Sequence, residues 1–496
     1  VEQLVITIAL VGIVVIVASL LSGALDRSGF PIVAVFILLG ALLGPPGLNV
    51  VDIEFQSPAL QVLATLGLAL VLFSDAVALD VRAVRSQAKM LWRLLGPGTL
   101  VPAFVITCAA HWLLALSWPM AAMLGAALAS TDPVVLRSFS RSRAVPENAR
   151  LALRLETGMN DVVLLPIVVL AMLMMGVDPH GVSEPVTDPA RLLSRNLLGL
   201  FLLGPTLGAL IGWIGITLLG QVRSRIGVRR DYESLFGLGL AFSGYAGAES
   251  VGGSGFLAAF AAGLVINAQD VELCDCFLEY GEATAEMFLL LTFVALGTSV
   301  IWTGLEVVSV RTLVFAAVAL TARTVVLYPV LYRTPLSRRE RRLVALFGPR
   351  GLSTLLLTLL PLFAGIPNAR DLFAVAALVV LLSVVIHGAG IAWFLRTHRR
   401  EEKESTAPRV SLPVVQPQPV PRISGQELVE DTVSVDELRD LQSRGDVIVV
   451  DARAPRSYAA EPLNAVGAVR IDPEDPVRDA TAQRLSKHGT LIVFCA

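Results

Sequence analysis

The strongest constraint on this chain is a succession of long apolar runs that fills it from its start to about residue 397. A bilayer core takes about 20 helical residues to cross. It accepts only helices and closed barrels, because those alone satisfy their own backbone hydrogen bonds. Thirteen runs can be bounded by polar or Pro/Gly turns, at about 3–25, 30–48, 58–80, 91–116, 119–139, 149–175, 192–220, 232–249, 253–268, 283–303, 308–332, 342–365 and 371–397. The eighth and ninth are short and glycine-rich. With 55% hydrophobic and 16% charged residues, the composition is not that of a soluble domain. The expected fold is an all-α polytopic membrane protein with about 13 transmembrane helices. A net charge of −2 gives no support to a nucleic-acid partner. Cys108, Cys274, Cys276 and Cys495 are too few and too scattered for a disulfide framework. The first run lacks a basic front and a small-residue cleavage site, so it reads as a span and not a leader.

Basic residues set the expected orientation. Arg82, Arg85 and Lys89 follow the third run, Arg137, Arg141 and Arg143 the fifth, and Arg223, Arg225, Arg229 and Arg230 the seventh. Arg333, Arg338, Arg339, Arg341 and Arg342 follow the eleventh, and Arg396, Arg399 and Arg400 the last. All these turns follow odd-numbered runs and share one side. The positive-inside rule puts the N-terminus outside and the C-terminus in the cytoplasm of a cell (inner) membrane protein. The acidic turn Asp270–Glu282 falls on the inner side without adding basic residues.

Past the last run the composition changes. Residues 398–425 are polar and carry Pro408, Pro413, Pro417, Pro419 and Pro421, as an extended linker does. From 426 to 496 a small α/β segment is expected. Ser434 and Glu437 are spaced as a capping box, and Val447–Val450 and Leu491–Phe494 are short β-type runs.

Two stretches break the apolar pattern. Ala129-Ser130-Thr131-Asp132-Pro133 ends in a proline that takes the helical partner from the carbonyl of Ala129. Glu156-Thr157-Gly158-Met159-Asn160-Asp161 places two carboxylates inside a spanning run. A charge at that depth costs a few kcal/mol or more and marks function by default. Residues four apart share a helix face, so Thr157 and Asp161 form one polar stripe and Glu156 and Asn160 a neighbouring one. Burial favours a carboxylate's protonated form, and a nearby cation its ionised form. One such group can therefore hold a proton or a cation, the competition an exchanger needs. Hard cations take oxygen ligands. Asp161, Asp132, the hydroxyls of Thr131 and Thr157, and carbonyls freed near Pro133 would supply them. The bland alternative, helix–helix glue, usually uses Ser, Thr and Asn. It is weaker for Asp161 than for Asp132, which can cap a half-helix, or for Ser130. Arg323 lies mid-run and should pair with a buried carboxylate, for which Glu156 is the candidate; such a pair is structural. Asp75 either lines the ion path or simply meets water. A second interruption, Gly348-Pro349-Arg350-Gly351, falls in the twelfth run. Matching breaks in the fifth and twelfth runs suggest inverted repeats with two interrupted crossing helices.

Together with Gly253-Ser254-Gly255-Phe256-Leu257-Ala258-Ala259-Phe260, these motifs resemble the monovalent cation/proton antiporter family, in its NhaP-like branch. The resemblance covers residues 1–397. It implies that Asp161, preceded by Asn160, is the ion- and proton-binding carboxylate, that Thr131 and Asp132 belong to the broken helix at the site, and that Glu156 and Arg323 form the buried pair. Asp75 departs from a family pattern in which an acidic residue directly follows Phe. The resemblance further implies a homodimer with an elevator-like movement, and Asn-Asp implies electroneutral exchange. The expected activity is exchange of Na+, or alternatively K+, for H+ by alternating access, serving pH homeostasis, with no cofactor and no enzymatic step. A gated cation channel is the competing transport class.

The tail resembles the first part of a rhodanese-like domain, through Val447-Ile448-Val449-Val450-Asp451-Ala452-Arg453, Tyr458, Gly467-Ala468-Val469 and Leu491–Cys495. That resemblance places Cys495 at the sulfur-carrying, catalytic position. A membrane-tethered sulfurtransferase or redox sensor is the alternative of another class; a regulatory appendage is the simpler reading.

Overall fold

The computed structural model describes residues 12–20, 32–51, 53–55, 57–79, 87–132, 144–177, 197–226, 228–269 and 275–405. In the tail it describes 447–452, 468–471 and 490–494, and isolated positions occur besides. The chain divides into two compact units, Val1–Arg409 and Val410–Ala496.

In the first unit every one of the thirteen apolar runs contains helix. Residues 12–20 are helical in the first. The rest are α1 (Ile32–Leu43), α2 (Pro58–Ala78), α3 (Ala88–Leu95) and α4 (Pro97–Leu114), α5 (Trp118–Ala129), α6 (Glu147–Met174), α7 (Gly204–Arg225), α8 (Arg230–Glu249), α9 (Gly255–Ala268), α10 (Asp275–Thr298), α11 (Val310–Val330), α12 (Arg338–Leu346) and α13 (Leu352–Phe363), and α14 (Ala369–Ser405). Prolines open α2, α4, α5 and α7, where a missing N–H costs nothing. Capping boxes open α11, through Ser309 and Thr312, and α12, through Ser337 and Glu340.

Among the described residues six helices are long and apolar enough to cross a membrane, or seven with the pair Ala283–Thr298 and Val300–Glu306, bent by 61°. Helices α1, α5, α9 and α13 are apolar but shorter. Two helices extend furthest beyond the sequence reading. The tenth helix starts at Asp275, inside the acidic turn expected to be a loop; a helix start tolerates acidic residues. The last runs on to Ser405, past the expected end at 397, because Glu401-Glu402-Lys403-Glu404 are good helix formers.

The helices pack as two sets. In one, α10 lies on α1 and α2, and α9 on α2, α7 and α8. In the other, α5 lies on α4, α6 and α13, and α11 on α4, α12 and α14. Helix α2 bridges them by touching α6 and α13. In the first set α7 and α9 approach backbone to backbone. A Cβ at Gly212 would stand 2.8 Å from the carbonyl oxygen of Ala262, and one at Gly204 2.6 Å from that of Ser254. Small residues permit this approach between membrane helices.

In the second unit three parallel strands, β1 (Val447–Asp451), β2 (Val469–Arg470) and β3 (Thr490–Phe494), form a sheet of order β2-β1-β3. Parallel neighbours require crossover connections, as the α/β expectation does. Cys495, Arg453 and Tyr458 lie outside the described residues, as does Pro133 in the first unit.

Candidate functional site

The last carbonyls of a helix lack intrahelical partners, and α5 stops at Ala129 deep in the protein. Arg350, from the break between α12 and α13, supplies the donors. Its Nη1 donates to the carbonyl oxygens of Ala129 and Ser130, at 2.8 Å each. A cation suits the negative end of a helix dipole. The carbonyl of Ala129, expected from the sequence to face the ion, is thus taken by an arginine. The exchange is reciprocal. Helix α13 begins with unpaired N–H groups, and Oδ2 of Asp132 accepts from the N–H of Leu352. The N–H of Asp132 donates to the carbonyl of Pro349 at 3.0 Å. Asp132 caps the other broken helix. Both Asp132 and Arg350 are 1% exposed.

Glycines let the breaks meet. A Cβ at Gly351 would run into the carboxylate of Asp132, and one at Gly348 would come within 2.5 Å of Nη1 of Arg323. Gly351→Ala is expected to destabilise the crossing by about 2 kcal/mol, as overpacking does, and to lower exchange in vesicles with it. Wild-type melting temperature and wild-type exchange together would refute the close approach.

Next to this crossing stands Asp161, on α6 and 4% exposed. Its Oδ1 accepts from the hydroxyl of Ser130. The hydroxyl of Ser353, on α13, and the carboxylate of Asp132 are both close enough to act on it. Nδ2 of Asn160 donates to Oγ1 of Thr131 at 2.6 Å, which ties α6 to the break after α5. Oδ1 of Asn160 is buried and meets no donor of the protein. Thr157 donates to the carbonyl of Leu153 at 2.9 Å, back into its own helix. Asp75 is half-buried on α2 and faces α6 at Gly158, where an added Cβ would lie 3.7 Å from its Cβ.

Glu156 and Arg323 meet in a two-pronged pair, Nε to Oε1 at 2.8 Å and Nη2 to Oε2 at 2.5 Å, both side chains 3% exposed. Nη1 of Arg323 also donates to the carbonyls of Val344 and Ala345, at 2.7 and 3.0 Å, where α12 ends. Arginines therefore hold the C-terminal ends of both interrupted helices.

Ser130 and Ser353 are the hydroxyl neighbours of Asp161 that sequence reasoning undervalued. Ser130 sits beside the Thr-Asp pair, but a lone serine is weak evidence. Ser353 follows Gly351 by two residues, and nothing in one sequence says that this turn lies against Asp161. A small cavity of about 10 Å³ reaches Asp132 and Ser353 and is otherwise lined by leucines and a valine, including Leu68 and Val71 of α2 and Leu289 of α10. It lies where the two sets of helices meet.

Two interrupted helices thus cross break to break, with a buried carboxylate among hydroxyls at the meeting of two helix sets. The profile of the transmembrane sodium/hydrogen exchanger family matches residues 12–397, and the chain belongs to that family. It is a cation/proton antiporter. Among its relatives, the "K(+)/H(+) antiporter NhaP" of Alkalimonas amylolytica is 26% identical over 417 residues, 83% of this chain and 70% of that protein. The "Na(+)/H(+) antiporter NhaG" of Bacillus atrophaeus is 25% identical over 362 residues, 69% of this chain and 65% of that one. The solved sodium proton antiporter MjNhaP1 of Methanocaldococcus jannaschii at pH 8 shares the fold with a TM-score of 0.60 and 21% identity, covering 78% of this chain and 99% of that chain.

Proposed function

We propose that this antiporter exchanges one monovalent cation, Na+ or K+, for one proton at Asp161, by alternating access. The supporting observation is the placement of Asp161: buried, at the crossing, with hydroxyls from both broken segments on or beside it. Ser130, Ser353, Thr131, Thr157 and Asp132 are the oxygen groups around which a desolvated cation would be held, and Asp75 lies on the approach from α2. Asn160 positions the break through Thr131 and adds no second titrating carboxylate, which supports electroneutral exchange. Two helix sets joined through α2 support movement of one against the other. A homodimer in the inner membrane, N-terminus outside, completes the reading. For the tail, the parallel sheet and the sequence around Asp451 support a rhodanese-like unit with a regulatory role.

Exchange in proteoliposomes with Na+, K+ and Li+ across a pH series tests this. Proton release is expected on adding Na+ or K+, with the half-saturating cation concentration rising as pH falls, because proton and cation compete for one group. No proton moves without a counter-cation. Conductance without proton movement would establish a channel instead.

A further inference from the structure

Arg341 on α12 is only 7% exposed. Its Nε and Nη1 are buried and meet no acceptor of the protein. Its guanidinium lies 5.0 Å from the ring centre of Tyr332 and 5.9 Å from that of Tyr328, where α11 ends. Leaving a buried charged donor unmatched is costly, and Glu340 beside it is already engaged. The carboxylate of Glu340 accepts from the N–H of Ser337 at 2.6 Å and from Asn148 at 3.3 Å. Helix α3 packs against the same end of α11 and the turn that follows it. On α3, Nη1 of Arg93 is likewise buried without an acceptor. Lys89, Arg333, Arg338 and Arg342 are exposed on these same elements. Trp92 and Tyr332, 74% and 72% exposed, present large aromatic faces there, as side chains at a membrane–water boundary do.

We propose that this corner of α3, α11 and α12 binds the headgroup of an anionic phospholipid, with Arg341 and Arg93 donating to its phosphate. The planar guanidinium matches phosphate geometry, and basic pockets between membrane helices take such headgroups. A phosphatidylcholine headgroup would set its own cation against the arginine cluster, so the site selects a net negative lipid. Trp92 and Tyr332 flank the acyl chains, which free phosphate lacks. Helix α12 runs directly into the break at 347–351, and Arg323 grips its end, so the headgroup steadies one half of the crossing.

The test is native mass spectrometry of the purified full-length chain with equal phosphatidylglycerol and phosphatidylcholine. Phosphatidylglycerol should be retained preferentially, and each arginine removed, in Arg341→Gln and in Arg93→Gln, should weaken that retention about fivefold. Should Arg341→Gln not fold, Arg341→Lys keeps the charge without the planar fork and should also lose retention. Equal retention of the two lipids, or an unchanged preference in the variants, would overturn the proposal. So would inorganic phosphate alone raising the melting temperature as much as the lipid does.

Discussion

Asp161→Asn should abolish cation/proton exchange in proteoliposomes, down to the signal of protein-free vesicles, while the protein remains folded. The substitution keeps nearly the same shape and preserves an oxygen for Ser130 and Ser353. It removes the one property the exchange needs, a charge that either a proton or a cation can neutralise. The prediction separates function from packing because Asp161 lies beside the crossing and does not cap it; Asp132 and Arg350 carry that role. A thermal melt within a few degrees of wild type together with no exchange is the expected pair of results. Retained exchange would move the site elsewhere, with Asp75 the next carboxylate to examine.

Glu156→Gln should act in the opposite sense, through stability before mechanism. It leaves Arg323 charged and buried without a counter-charge, with one neutral amide oxygen and the carbonyls of Val344 and Ala345 as remaining partners. Breaking one side of a buried ion pair typically costs about 3 to 5 kcal/mol. The loss should appear as a lower melting temperature in detergent and a lower yield of intact protein. Removing both charges, in Glu156→Leu with Arg323→Met, should recover much of what the single change loses, since an apolar pair can replace a buried ionic one. A single variant as stable as wild type would show that the pair contributes little to the fold.

Much of the architecture is legible from the chain alone, for a simple reason. A bilayer imposes length and apolarity on each span, so the thirteen runs mark where helix forms. The meeting of Glu156 with Arg323 is legible too, because an arginine in the middle of a span has to find a carboxylate and few are present. What the sequence hides is which turn faces which. Pro133 and the Gly-Pro-Arg-Gly stretch announce two breaks, but nothing in their spacing shows that Arg350 caps α5 or that Asp132 caps α13. Those bonds join residues more than two hundred positions apart. Ser353 is hidden for the same reason. The extension of α14 to Ser405 and the early start of α10 at Asp275 are hidden differently, since charged residues read as loop until the helix they prolong is seen.

The arginines that hold the two helix ends carry a consequence for leakage. Among the charge-bearing residues that build the crossing, Asp132 and Arg350 offset one another, and so do Glu156 and Arg323. Asp161 is left as the odd charge. On the proposed reading the whole assembly is electrically neutral only when Asp161 holds a proton or a cation. Carrying a bare charge through the low-dielectric middle of a membrane is expensive. An unloaded carrier is therefore held back by electrostatics alone, without any gate having to recognise that it is empty.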